Sequence, residues 1–232
     1  VKYCVFIPAM PNRFNKLENL INIYNSGTIK PDEIIINASS VDKNNYNILI
    51  DLFNKKLDNL KIIPHQIHLD AGTNRQQALY ISNSDVIIYQ DDDDVPSNNR
   101  VEVIKWFFEN REIECLNHSY VYNKGTENVP YGSNFDLINI IESDTIYKKY
   151  FNMSLDDCKK FNSYGEGFDF PICAGPVSIK RSILKDVEWK DRKNVTLCKF
   201  APRGEDFDFC MEVLFKFNKS IIIDSKLYSY MK

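Results

Sequence analysis

Short runs of β-branched and aliphatic residues alternate along the first half of the chain with stretches whose apolar positions recur every three or four residues. The first run, Val1 to Ile7, reads as a strand; Phe14, Leu17, Leu20, Ile21 and Tyr24 then mark one face of a helix that Gly27 stops. Glu33 to Asn37 predicts a buried strand, Tyr46, Leu49, Ile50, Phe53 and Leu57 a second helix, and Lys61 to Ile67 a third strand. A loop around Asp70 to Thr73 and a short helix from Asn74 to about Ser82 lead into Val86 to Tyr89, apolar enough to be buried on both faces. Pro96 and Asn98 open a helix carrying Val101, Ile104, Phe107 and Phe108, and Cys115 to Tyr122 predicts a further strand. Such alternation is the pattern of an α/β fold, a mostly parallel central sheet flanked by helices.

Periodicity weakens in the second half. Ser154 to Phe161 is a helix candidate opening on a Ser cap, Val177 to Lys180 a strand, Glu205 to Phe217 a helix after Gly204, and Ile221 to Ile223 a last buried strand. Residues 123–175 otherwise mix Gly, Asn and aromatics and predict no regular element, and no shift in composition marks a boundary. With 232 residues, 44% of them hydrophobic, the chain can fill one sizeable core. The expectation is a single domain over 1–232.

Charge narrows the field. Against 32 Asp+Glu stand 29 Lys+Arg, a net charge of -3, which argues against a basic face tracking nucleic-acid phosphates. No run approaches the roughly 18 to 20 apolar residues of a membrane span. Cys4, Cys115, Cys158, Cys173, Cys198 and Cys210 are scattered, with no C-x-x-C pair, and read as reduced thiols, several of them core fillers in a cytoplasmic protein. An abrupt start on a strand at Val1, with no signal-like segment, is expected of a domain cut from a longer chain.

Two acidic clusters carry the candidate chemistry. The buried run Val86 to Tyr89 ends in Gln90 and then Asp91-Asp92-Asp93-Asp94. Adjacent carboxylates raise one another's pKa unless a cation neutralises them, and hard oxygen ligands at a strand end suit Mn²⁺ or Mg²⁺ carrying phosphate oxygens. Ligands of open α/β sheets bind in the crevice beyond the strand C-termini, where these acids fall. The second cluster, Glu205-Asp206 and Asp208, opens a helix and by itself is explained by the helix dipole. Together the clusters offer a metal site and a separate carboxylate for general-base work.

Ile7-Pro8-Ala9-Met10-Pro11-Asn12-Arg13, the run Pro31 to Ile36, Ser40-Val41-Asp42, Arg75, the strand ending at Asp91 to Asp94, and Cys173 to Arg181 followed by Gly204-Glu205-Asp206 resemble, in that order, the GT-A glycosyltransferases of family 2 type. The resemblance implies the GT-A fold, with 1–122 as nucleotide-binding half and 123–232 as acceptor-side half. It implies an inverting transfer from a nucleotide-diphosphate sugar to a hydroxyl of a glycan, glycolipid or glycoprotein acceptor, with Mn²⁺ or Mg²⁺. Asp93 would be the main metal ligand with Asp91 beside it, Asp92 would face the ribose, and Asp206 would be the base, with Glu205 supporting the acceptor or the helix start. Pro8, Asn12, Arg13, Asn37, Ser39 and Arg75 would line the nucleotide.

Where the family commonly carries one or two acids after its second strand this chain has Asn37 and Ala38, so the usual carboxylate contact to the base is lost or replaced by an amide. No His follows His118 to serve as a late metal ligand, leaving diphosphate and solvent to complete the shell. His65 and His68 are poorly spaced for a shared metal, and Trp189 either stacks on a sugar ring or fills a loop. Asp91-x-Asp93-x-Val95 also resembles the nucleophile motif of haloacid-dehalogenase phosphatases, but that motif normally ends the first core strand rather than about the fourth. A third reading is a non-catalytic carbohydrate- or nucleotide-binding module of a larger protein.

Overall fold

The computed structural model describes residues 1–54, 57–122, 138–143, 145, 175–191 and 205–231. Its first half runs β1 (Tyr3–Ala9), α1 (Phe14–Ser26), β2 (Glu33–Ala38), α2 (Lys43–Phe53), β3 (Leu60–Pro64), α3 (Ala71–Gln76), α4 (Ala78–Ile81), β4 (Val86–Tyr89), β5 (Val95–Pro96), α5 (Arg100–Asn110), β6 (Cys115–His118) and β7 (Val121–Tyr122). After it come β8 (Ile140–Glu142), β9 (Val177–Lys180), α6 (Glu205–Phe217), β10 (Ser220–Ile223) and β11 (Tyr228–Tyr230).

Among the described residues eight strands form the central sheet, in the order β3-β2-β1-β4-β9-β6-β10-β8. The first four are mutually parallel, with Pro8 beside Asn37 and Asn37 beside Ile63, so their C-terminal ends open on one edge. Strand β9 runs antiparallel to both β4 and β6, β10 is parallel to β6, and β8 is antiparallel to β10. Because β9 lies between β4 and β6, the two halves of the chain build one sheet. A small second sheet, β5-β11-β7, brings the end of the chain back to the segment after β4.

Helices on both faces explain why the strands read as continuous apolar runs. Tyr3, Val5 and Ile7 point to one core with Phe14, Leu17 and Leu20 of α1 and Ile104 and Phe107 of α5. Cys4 and Phe6 point to the other, with Ile35, Ile87, Tyr89, Trp189 and Phe209. Cys4, Cys115 and Cys210 are buried and free.

Four expectations shift. The third strand stops at Pro64 rather than Ile67, because the chain bends there so that His65 N–H reaches Ala38 O (2.8 Å) and Ser40 N–H reaches Ile67 O (3.0 Å). The helix expected from Asn74 begins at Ala71, since the Asp70 carboxylate caps it by accepting the Thr73 N–H at 2.9 Å. The strand expected over Cys115 to Tyr122 divides between the two sheets. Strands β5, β8 and β11, two or three residues each, are too short to show a period. The helix candidate Ser154 to Phe161, Cys158, Cys173, Cys198 and Gly204 lie outside the described residues. Among the described residues no helix is long and apolar enough to cross a membrane.

Candidate active site

The acid turn is built on Gln90, which is fully buried at the end of β4. Its side-chain N–H groups donate to Asp91 O (2.8 Å) and Asp94 O (3.1 Å), and its Oε1 accepts from the Tyr24 hydroxyl (2.6 Å) and Arg100 Nη1 (2.7 Å). Four consecutive carboxylates cannot share one direction without strong repulsion, and here they divide into two sets. Asp92 and Asp94 turn inward, each 3% exposed. Asp92 accepts from Met10 N–H (2.8 Å) and Arg13 Nη1 (2.9 Å), and Asp94 accepts from Met231 N–H (2.7 Å). Burial pushes Asp94 up to about 7 against the pull of the Met231 N–H and the Tyr228 hydroxyl, with the charges of Asp91 and Asp93 adding to the rise. Burial also raises Asp92 above the usual carboxylate range, although Arg13 and the Met10 N–H oppose it.

Asp91 and Asp93 face outward. Each side chain is 21% exposed, and each binds one guanidinium through a single oxygen: Asp91 Oδ1 to Arg75 Nη2 at 2.8 Å, Asp93 Oδ2 to Arg13 Nη2 at 3.0 Å. The second oxygens are hard donors of the kind Mn²⁺ and Mg²⁺ prefer, and Arg13, at 40% exposure, is free to yield its place. These two residues therefore fit a divalent cation. Among the described residues no three His, Cys, Asp or Glu side chains converge, so other ligands would have to complete the shell.

Arg75 joins the two acidic clusters. It projects from α3, is buried, and its second nitrogen, Nη1, bonds Glu205 Oε1 at 2.9 Å, at the first residue of α6. Burial alone would lower its pKa, yet the charges of Asp91, Glu205 and Asp206 outweigh that and hold it above the ordinary arginine value. Its guanidinium lies 5.2 Å over the Trp189 ring. Asp206 follows Glu205 in the first turn of α6, partly exposed beside this bridge, where the helix dipole favours a carboxylate.

The expected nucleotide-lining residues do not all face the crevice. Pro8 is partly exposed at the end of β1, Asn12 is exposed, and Arg13 pairs with Asp92 and Asp93. Asn37, expected to meet the base, is fully buried: its Nδ2 donates to Asn74 Oδ1 (2.8 Å) and its Oδ1 bonds His65 Nε2 (2.8 Å), so the amide is committed within the protein. Ser39 is fully buried as well, its Oγ accepting the Leu69 N–H at 2.8 Å, and it fastens one loop to another. Asp92, expected to face the ribose, has both oxygens taken and instead locks the β1 loop to the acid turn. Trp189 is no sugar platform: it is 2% exposed, stacked at 4.0 Å on Phe209, and its Nε1 donates to the Tyr89 hydroxyl.

Periodicity gave no sign of a buried cation beneath the acid turn. Arg100 is fully buried, and its five N–H donors meet His118 Nε2, the Tyr24 hydroxyl, Gln90 Oε1, Tyr89 O and Gly175 O, all neutral. Its positive charge, matched by no carboxylate contact among the described residues, stands one residue behind Asp91. Tyr228, from β11, lies under the same guanidinium at 5.1 Å and accepts the Asp91 N–H at 3.2 Å. Val101, Ile104, Phe107 and Phe108 marked the helix, but only the fold reveals that Arg100, its first residue, turns inward.

The family model of glycosyl transferase family 2 matches residues 4–175. Among solved structures the chain is similar to Staphylococcus aureus TarS 1-349, with a TM-score of 0.66 and 17% identity over 100% of this chain and 60% of that one. The TarS 1-349 complex with UDP-GlcNAc gives 0.67 and 17%, over 100% and 59%. Glucosyl-3-phosphoglycerate synthase from Mycobacterium tuberculosis, in complex with Mn²⁺, UDP and glucosyl-3-phosphoglycerate, gives 0.59 and 11%, over 100% and 72%. This chain thus spans about 60% of the TarS 1-349 structures, and at these identities the likeness is one of fold. No curated protein matches it in sequence.

Proposed function

The chain belongs to glycosyl transferase family 2, and from that footing we propose that it moves a sugar from a nucleotide-diphosphate donor to an acceptor hydroxyl with inversion at the anomeric carbon. The observation that carries this reading is the Arg75 bridge. It brings Asp91 of the β4 turn and Glu205 at the start of α6, far apart in sequence, together at the C-terminal edge of the parallel strands. A phosphatase built on Asp91 and Asp93 would leave the second cluster without a task.

The nucleotide lies across the ends of β1 and β2, with its diphosphate toward β4. Asp93 and Asp91 would hold Mn²⁺ or Mg²⁺, which would neutralise the diphosphate as it leaves. The similar structures bound to UDP-GlcNAc, or to Mn²⁺ and UDP, support this donor class. Arg13 and Arg75, already paired with acids of the turn, keep positive charge beside the phosphates and hold the turn in place. Asp206 accepts the acceptor's proton as the hydroxyl oxygen bonds the anomeric carbon and the bond from that carbon to the diphosphate oxygen breaks. Glu205, held by Arg75, fixes the first turn of α6 and with it the position of Asp206.

Asp206→Asn tests the chemistry apart from binding. Donor affinity should stay near that of the wild type while turnover falls by about 10²- to 10⁴-fold, the usual worth of a positioned proton acceptor. Near wild-type transfer by the variant, or a product of retained anomeric configuration, would contradict the assignment.

A further inference from the structure

At the ends of β2 and β3 a chain of buried amides fixes the state of one histidine ring. Asn74 Nδ2 donates to the backbone oxygen of Asn37 at 3.1 Å, which leaves Asn74 Oδ1 as an acceptor. Asn37 Nδ2 donates to that oxygen at 2.8 Å, so Asn37 Oδ1 must itself accept. The group it faces, 2.8 Å away, is His65 Nε2, which therefore carries the proton. In the neutral ring Nδ1 is then left with a lone pair, and among the described residues it has no hydrogen-bond partner.

His65 also sits where a donor's base would reach. It is the first residue past β3, partly exposed, with its backbone paired to both ends of the loop after β2: His65 N–H to Ala38 O (2.8 Å) and Val41 N–H to His65 O (2.8 Å). Three strand spacings separate the end of β4, where the acids lie, from the end of β3, about 14 Å. An extended nucleoside diphosphate with its phosphates at Asp91 and Asp93 covers that distance.

We infer that His65 reads the donor's base, its Nδ1 held as an acceptor for the ring N–H of uracil, thymine or guanine. Cytosine presents a ring-nitrogen lone pair at that edge and is disfavoured, because two acceptors then face each other in a partly buried site. Asn37 thus acts behind the histidine as a positioning residue, and Asn74 behind Asn37. This inference rests on the donor class proposed above.

Calorimetry with UDP and CDP in the presence of Mn²⁺, on the wild type, His65→Ala and His68→Ala, tests it. The wild type should prefer UDP, His65→Ala should lose about 10-fold in UDP affinity with CDP affinity little changed, and His68→Ala, whose ring bonds Ser40 Oγ instead, should keep the wild-type ratio. Nitrogen-15 spectra of the wild-type ring at mildly alkaline pH give a second readout independent of any variant. They should show the Nε2–H tautomer, with the Nδ1 resonance moving when UDP is added. A UDP-to-CDP ratio unchanged in His65→Ala, or an Nδ1 resonance indifferent to bound UDP, overturns this proposal alone; a wild type that binds no nucleotide overturns the donor reading with it.

Discussion

His118 has its charge state set by the fold. It is fully buried, its Nε2 accepts the Arg100 Nε–H at 3.0 Å, and its Nδ1 pairs with Ser119 O at 2.9 Å. Burial and then the Arg100 charge hold its pKa well below the ordinary histidine value. A base with a depressed folded pKa is neutral in the native state while the unfolded chain takes up a proton near pH 6.5, so stability should fall as pH drops below that value, by at most about 1.4 kcal/mol per pH unit. Asp94, pushed up to about 7, acts in the opposite sense over the same range, since its folded form keeps a proton that the unfolded chain has lost. The difference between wild type and His118→Gln therefore isolates the effect. Denaturation midpoints from pH 7 to 5 should show the variant's stability less steeply lowered by acid, and parallel curves would remove His118 as the cause. Residue types alone marked the run Asp91 to Asp94 and the pair Glu205 and Asp206, because carboxylates at a strand end or a helix start are conspicuous, whereas Arg75 and the choice of Asp93 and Asp91 within the run came from the family resemblance. They did not show that Asn37, Ser39 and Asp92 turn inward, since the side of a strand end on which a polar group falls depends on what the loops beyond it bring.

At the scale of elements, α3 decides whether the two acidic clusters meet. Its six residues carry both Asn74 and Arg75, and it lies hard against the segment after β9: a Cβ at Gly72 would stand 2.0 Å from the Lys190 backbone oxygen. Gln76 adds a bond there, its Oε1 accepting the Trp189 N–H at 3.0 Å. Gly72→Ala should therefore force the helix and that segment apart, costing about 1–3 kcal/mol as other overpacked sites do, and slowing transfer by displacing Arg75. Urea denaturation beside a turnover assay measures both, and an unchanged midpoint would mean that the contact yields freely. The long amphipathic helices and buried strands were legible because burial imposes a period on their residues. Helix α3 was legible only in part, since its cap lies on Asp70, before the apolar pattern begins, and the two- and three-residue strands β5, β8 and β11 are too short to have a period.

Over the whole molecule, function depends on a sheet that changes direction beside β4. Four parallel strands send their ends to one edge, and antiparallel β9 then joins the sheet's far half, so that α6 comes back over the same edge and the acid turn is braced by Tyr228 of β11 and by Met231 just after it. The sequence order of motifs pointed to the first half of this arrangement, whereas the return of the last strand to the acid turn is a long-range pairing that no local pattern encodes. This edge is proposed to hold a nucleoside diphosphate through a divalent cation on Asp93 and Asp91. Titration calorimetry of UDP, with and without Mn²⁺, on the wild type and Asp93→Ala tests that claim most directly. Wild-type affinity should rise at least about 10-fold with Mn²⁺, a gain of roughly 1.4 kcal/mol, and Asp93→Ala should lose that gain. Equal affinity with and without the metal in the wild type, or the full gain retained in Asp93→Ala, would contradict it.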